Sequence, residues 1–391
     1  MPPTSPFLRP SRAPRSEKRL LAIFDGGNAP GYSSVAVAIT EEAARHGYEL
    51  WAATQGFRSL TSDATAEMAF ERLIVDRKER YALLAAGIPA RSMGRRVQDP
   101  GSDFRSERYL GFYDSAKRVE AAETFRQQGF THAICVGGNG TLEGCKAWLE
   151  GFGDARPRVG FINVSIDNDV AGDRAIGFLT GIEAGSTIAR GLYEDAYTHK
   201  RVYVLEMMGN RSGRHALHCG VASRAHLIVL PFFHFPDPVI QEIATALDAA
   251  DMAVVVVAEG YELEARRALD PMPSASDYFR QQLEQFGLRD RPGKRVIAEP
   301  FSRYLRAVRP GFAEVSAAYL KTSLLIQAFE RGATEIMPYM LGAHDVGVRP
   351  FESITQENRV ERSFLPLLAR LELPRFQDWV AQNFTSDESS I

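Results

Sequence analysis

The stretch FINVSIDNDVAGD, residues 161–173, ends a short apolar run in three acids, Asp167, Asp169 and Asp173. A carboxylate at such a place can deprotonate a hydroxyl that attacks a phosphoryl group, and a second can hold Mg2+ or a basic partner. A lone loop Asp more often closes an Asx-turn or caps a helix. Two glycine-rich stretches tilt the balance toward phosphate chemistry: DGGNAPG (25–31) and VGGNGT (136–141) each follow a strand-like run and precede a helix-like one. Glycines there let the backbone approach an anion, and the helix start adds N–H groups and the positive end of its dipole. One such turn is only a tight turn. Two in one α/β unit point to bound phosphate, with packing turns at a sheet edge as the bland alternative. MMGNRSGRH (207–215) is a further glycine-flanked turn carrying Arg211 and Arg214, and Arg201 opens the run before it. Arg201 can bind an acceptor phosphate or be a plain surface residue at a strand start, and the residues alone leave that even. The eight histidines show no ligand pairing, and no Ser/His/Asp grouping is visible.

Elements must hold these residues. RLLAIFD (19–25), YELWAAT, THAICV, RVGFINVS, RVYVLEMM, LIVLPFF and MAVVVVAEG read as buried strands. Helix-like patterns separate them, among them Ser34 to His46, LEGCKAWLEG, RHALHCGVASRA and DPVIQEIATALDAA. This alternation predicts an α/β fold of doubly wound, Rossmann-like parallel sheets covered by helices. In such sheets ligands bind outside the carboxyl ends of the strands, and all four unusual turns fall there. The polar, charged stretch 94–108 is expected to be a loop over the site, and 262–278 is a second soft region. No internal repeat is visible.

Composition sets bounds. A length of 391 residues suits two α/β domains, and 45% hydrophobic with 24% charged residues is the balance of a chain with a real core. A net charge of −3 leaves no basic footprint, so nucleic acid is not an expected partner. Nor is a membrane: the longest apolar run, MAVVVVAEG, is broken by Glu259. Cys135, Cys145 and Cys219 are odd in number and lack metal-ligand spacing, which suits buried thiols in a reducing compartment. Residues 1–17, rich in Pro, Ser and Arg, are expected to be a disordered tail without the apolar core of a secretory signal, and the protein to be cytoplasmic.

Taken in order, the turns resemble those of the phosphofructokinase family from about residue 19 to about residue 337. The family's GGDxPG turn stands here as GGNAPG, its GGDG as GGNG, its TIDND as SIDND and its MGRxxG as MGNRSG, while EPFSRYLRAVRP is similar to a late segment that brings an arginine to the sugar phosphate. SIDND is the specific element, because GGDG-like turns also occur in NAD and lipid kinases. The resemblance implies a donor domain of 18–175 plus 301–350 and an acceptor domain of 176–300 plus 351–391. It makes Asp167 the base for the acceptor hydroxyl, with Asp169 assisting. Gly26, Gly27, Gly137, Gly138, Asn139, Gly140 and Thr141 would hold the donor phosphates. Ser165, Arg201, Met208, Gly209, Asn210 and Phe232 would line the acceptor site, Arg201 across a subunit contact in a homodimer or homotetramer. Arg303, Arg306 and Arg309 are candidates for the same acceptor anion. Mg2+ would sit at Asp167 and, weakly, at Asn139.

Four positions depart from the pattern. Asn28 and Asn139 replace acids, and an amide is a poorer Mg2+ ligand because it brings no charge. Asn210 replaces the arginine of MGR, and Phe232 falls where a sugar-binding Glu is expected. The donor implied is ATP: Gly140 leaves room for the nucleotide's inner phosphate where pyrophosphate users carry Asp, and Val164 stands where they carry Lys. The expected activity is transfer of the ATP γ-phosphoryl group to a hydroxyl of a sugar phosphate or related small molecule, with fructose 6-phosphate disfavoured by Phe232. The alternative is a silenced paralogue that binds nucleotide or sugar phosphate as a regulatory subunit.

Overall fold

A computed structural model describes residues 18–65, 68–106, 108–300, 302–342, 344–356 and 360–384; the tail expected over 1–17 lies outside them. The chain divides into two compact units. One comprises Met1–Ser165, Val170–Leu179 and Arg306–Gln356, the other Ile166–Asp169, Thr180–Leu305 and Glu357–Ile391. The acids of SIDND, assigned above to the first domain, therefore group with the second unit.

The first unit is built on strands β1 (Arg19–Phe24), β2 (Glu49–Ala53), β3 (Phe70–Ile74), β4 (Ala90–Ser92), β5 (His132–Gly137) and β6 (Arg158–Asn163). The second unit contributes β7 (Arg201–Met207), β8 (Leu227–Val229), β9 (Ala253–Ala258) and β10 (Arg295–Glu299), and the chain returns to the first with β11 (Ile336–Met340) and β12 (Val346–Pro350). The first sheet runs in the order β12-β11-β6-β5-β1-β2-β3-β4. Its centre is parallel, β1 lying between β2 and β5 with every residue buried. Burial on both faces is why these runs are continuously apolar rather than alternating. Two pairs of this mostly parallel sheet, β2–β3 and β11–β12, are antiparallel. Each has a short connection. Only five residues separate β11 from β12, and the described residues between β2 and β3 hold no helix beyond the brief turn Gly56–Leu60, whereas a parallel partner needs a crossover helix. The sheet packs on Phe57, Phe125, Trp148 and Phe161, and the Phe125 and Trp148 rings meet edge to face at 5.2 Å.

The second unit's sheet runs β10-β7-β9-β8, parallel throughout. Its central strand β9 is AVVVVA with all residues buried. The run LIVLPFF stops pairing at Val229, and Pro231, two residues on, has no N–H for a ladder. Helices Arg214–Ser223 and Asp237–Ala249 follow β7 and β8 in sequence. Among the described residues no helix is long and apolar enough to cross a membrane.

Candidate functional site

The two glycine-rich turns lie side by side in the first unit because β1 and β5 are adjacent, Phe24 standing in register with Val136. Thr141 stitches them together: its Oγ1 donates to the Asp25 carbonyl at 3.0 Å and lies 3.4 Å from Asp25 Oδ2. Thr141 is buried, so its hydroxyl serves the turn rather than facing a ligand. Tyr32 braces the same carbonyl with a 2.8 Å hydrogen bond, and burial, followed by Asp25, holds its phenol far above the ordinary range. Gly26 has a φ of +91°, a conformation that L side chains avoid. A Cβ on Gly137 would collide with Thr141 and the Asp25 carbonyl, and one on Gly138 would lie 3.3 Å from Ser165 Oγ. Gly140, in contrast, faces open space. Asn139 and Gly140 begin the helix Asn139–Glu150, which has no side-chain cap, so its first N–H groups are available to an anion. Val97 and Gly101 of the 94–108 segment are held by the start of the helix that follows the first turn. Ser34 Oγ donates to the Val97 carbonyl at 2.6 Å and Ser33 Oγ to that of Gly101 at 2.9 Å.

The three late arginines part company. Arg306 belongs to the first unit and reaches the first turn so closely that a Cβ on Gly27 would strike its Nη1. Arg303 and Arg309 are exposed.

In the second unit, Asp167 and Asp169 are buried around Asn168, whose φ is +53°. The MGNRSG turn joins them. Ser212 Oγ lies 2.6 Å from the Asp167 carbonyl and 2.9 Å from that of Gly209. Glu259, at the carboxyl end of β9, accepts from the Gly209 and Asn210 N–H groups at 3.3 and 3.2 Å. Its own position is fixed by Arg266, a nearly buried arginine that donates to the carbonyls of Glu259, Tyr261 and Pro273. Nearby Glu206 has its carboxyl pushed up by burial, and one of its oxygens accepts from the Ala275 N–H. The sequence reading missed Glu259 and Arg266. The signal was present, a carboxylate ending the most apolar strand of the chain, but it was spent on excluding a membrane span.

Two expected acceptor residues stand elsewhere. Phe232 packs against Phe233 and Phe384 with centroids at 5.4 and 5.6 Å, part of an aromatic cluster with the C-terminal helix Pro374–Phe384. Arg201 opens β7, seven strand residues from Met208, or roughly 20 Å at ~3.3 Å per residue. There it pairs with Asp195 at 2.8 Å and lies 3.1 Å from Tyr203 Oη.

Among the described residues no cluster of three His, Cys, Asp or Glu side chains could hold a metal alone. That suits Mg2+, which is usually bound by one or two carboxylates together with substrate phosphates. In the second unit Asp167 and Asp169 are buried carboxylates, and in the first Asn139 is an amide at a helix start. Cys135, Cys145 and Cys219 are buried.

Paired glycine turns at the carboxyl ends of a parallel sheet, with acids at the next strand end, define a phosphate-binding α/β protein. Comparison names the family: the phosphofructokinase model matches residues 19–310, and the chain belongs to the phosphofructokinase family. Two relatives named ATP-dependent 6-phosphofructokinase illustrate the distance. That of Coxiella burnetii is 28% identical over 245 residues, 62% of this chain and 68% of the relative. That of Streptococcus suis is 26% identical over 280 residues, 71% and 76%. In fold the chain resembles phosphofructokinase from Saccharomyces cerevisiae, with TM-score 0.67 at 18% identity over 86% of this chain and 45% of that one. It also resembles a pyrophosphate-dependent phosphofructokinase from Marinobacter aquaeolei, with TM-score 0.66 at 17% identity over 91% and 93%.

Proposed function

We propose that the chain is a phosphofructokinase-like kinase that transfers the γ-phosphoryl group of ATP to a hydroxyl of a phosphorylated, sugar-like acceptor. The observation that carries this reading is the stitching of the two glycine turns by Thr141 on Asp25, which leaves Gly140 over open space. Gly26, Gly27, Gly137, Gly138 and Gly140 then hold the donor phosphates with Asn139. The uncharged Val164 and the Gly at 140 support ATP over pyrophosphate, and so do the names of the curated relatives.

On the acceptor side Asp167 takes the hydroxyl proton, with Asp169 beside it in sequence. Ser212 and Asn168 fix the backbone that carries the base. Glu259, set against Gly209 and Asn210, supplies a carboxylate for acceptor hydroxyls, which restores a sugar-like acceptor to the reading. Asp167 would also serve as a carboxylate ligand of a nucleotide-bound Mg2+, which would screen the phosphate charge. Arg201 lies at the far end of β7, so in this reading it serves the acceptor phosphate of a neighbouring copy in a homodimer or homotetramer.

Turnover with Mg·ATP against a panel of sugar phosphates, free sugars and nucleosides tests the reading, with light scattering for the oligomer. Turnover of a sugar phosphate by an assembly of two or more chains is expected. Turnover with pyrophosphate alone, or none with any acceptor, would overturn it.

A further inference from the structure

Arg306 is half-buried near the end of the short turn Ser302–Ala307, and its guanidinium lies over Gly27 of the donor turn, where a Cβ would strike Nη1. Its charge is felt at Tyr32, where it opposes the effects of burial and Asp25. Across both glycine turns, 25–31 and 136–141, the single acid is Asp25, which is buried and accepts from Thr141. Positions 28 and 139 are amides. The two turns themselves thus offer no outward carboxylate to recruit a divalent cation, and the Arg306 guanidinium stands beside the first of them, where it suits an anion held directly. Arginine suits that task because its planar fork presents parallel N–H groups to phosphate oxygens.

We propose that Arg306 is a ligand of the donor's terminal phosphates, not of the acceptor's anion, and that it lets this cradle hold a polyphosphate without a divalent metal. The inference rests on the donor reading above and assigns a residue to it. Metal-free binding comes first, and Mg2+ is then needed for transfer rather than for capture.

Calorimetry of the full chain with ATP and with inorganic pyrophosphate, each in EDTA and in excess Mg2+, tests this in the wild type, Arg306→Gln and Arg306→Lys. The wild type is expected to bind ATP in EDTA. Arg306→Gln should weaken that binding by about 10–100-fold, the usual worth of hydrogen bonds to a charged group, and Arg306→Lys by less. In kinetics the KM for ATP should rise more than the KM for the acceptor. Unchanged affinity in EDTA for a folded Arg306→Gln, or a rise confined to the acceptor's KM, would overturn the assignment and leave the ATP reading standing. Arg306-dependent binding of pyrophosphate but not ATP would uphold the assignment and sink ATP as donor. No binding of either by the wild type would remove both. Should Arg306→Gln fail to fold, Arg306→Lys decides, because an unchanged affinity there with normal melting also counts against the proposal.

Discussion

Lys321 Nζ lies 2.7 Å from Asp173 Oδ2, with both side chains fully buried. The pair is closed by further bonds: Asp173 Oδ1 accepts from the Met340 N–H at 2.8 Å, Oδ2 from Asn163 Nδ2 at 3.2 Å, and Lys321 Nζ donates to the Arg174 carbonyl at 2.7 Å. It ties β6, β11 and the helix Phe312–Glu330 to the segment that follows SIDND. Of the three acids at that strand end, Asp173 is structural.

Removing one partner strands the other's charge in the core. Asp173→Asn should therefore cost about 3–5 kcal/mol, read by urea unfolding. Asp173→Leu combined with Lys321→Met should recover much of that loss. A single variant within ~1 kcal/mol of the wild type would contradict the account.

Asp167→Asn keeps size and hydrogen-bonding capacity but cannot take a proton. Turnover should fall by ~10²–10⁴, while ATP binding measured by calorimetry changes little. Turnover within a small factor of the wild type would make Asp167 a structural residue like Asp173.

How much of this was legible in the sequence differs by residue. The glycine turns and SIDND announced themselves because backbone demands and charge are written locally. β1, β5, β6, β7 and β9 were legible as well, since burial on both faces makes the middle of each an apolar run. The edge strands β4 and β12 were not: ARS and VGVRP carry charged or glycine residues because one side of an edge strand meets solvent. Arg306 at Gly27 and Lys321 at Asp173 are pairings across 279 and 148 residues, and no local pattern encodes them.

His132 offers a pH test. Burial, then the Arg158 charge, brings its pKa down from 6.5 to about 4. The unfolded chain takes up this proton near the ordinary histidine value, whereas the folded chain resists it until about pH 4. Stability is therefore present above pH 6.5 and is lost as pH falls from there toward 4. Burial lowers His218 and His226 too, in the same sense. The melting temperature should drop across that window, and His132→Phe, placed between Tyr48 and Phe329, should flatten the drop. An identical slope in the variant would show that His132 does not contribute.

Space at the two turns separates folding from binding. Gly137→Ala forces a Cβ against Thr141 and Asp25 and should destabilise by about 1–3 kcal/mol. Gly140→Asp meets nothing in the protein, and an acid in the first helical turn is favourable, so its melting temperature should stay near that of the wild type. Its carboxylate should repel the donor and lower ATP affinity at least tenfold. Normal ATP binding by Gly140→Asp would place the donor elsewhere.

Asn139 is the position where donor chemistry and metal chemistry meet. It is the first residue of the helix that follows the second glycine turn, which sets it at the edge of the proposed donor cradle. A carboxylate there would face phosphates of the same sign and would need a cation between them, whereas the amide supplies a dipole that neither repels the phosphates nor attracts the ion strongly. The wild type should need unusually high Mg2+ for turnover. Asn139→Asp should lower the Mg2+ concentration at half-maximal rate, and it should also weaken ATP binding in EDTA, because the added charge then has no metal to offset it. These opposite shifts distinguish a metal ligand from a residue that merely packs. Titrating Mg2+ at fixed ATP in both variants, with calorimetry in EDTA beside it, reads both. If Asn139→Asp leaves the Mg2+ dependence and the metal-free affinity unchanged, residue 139 does not face the donor phosphates.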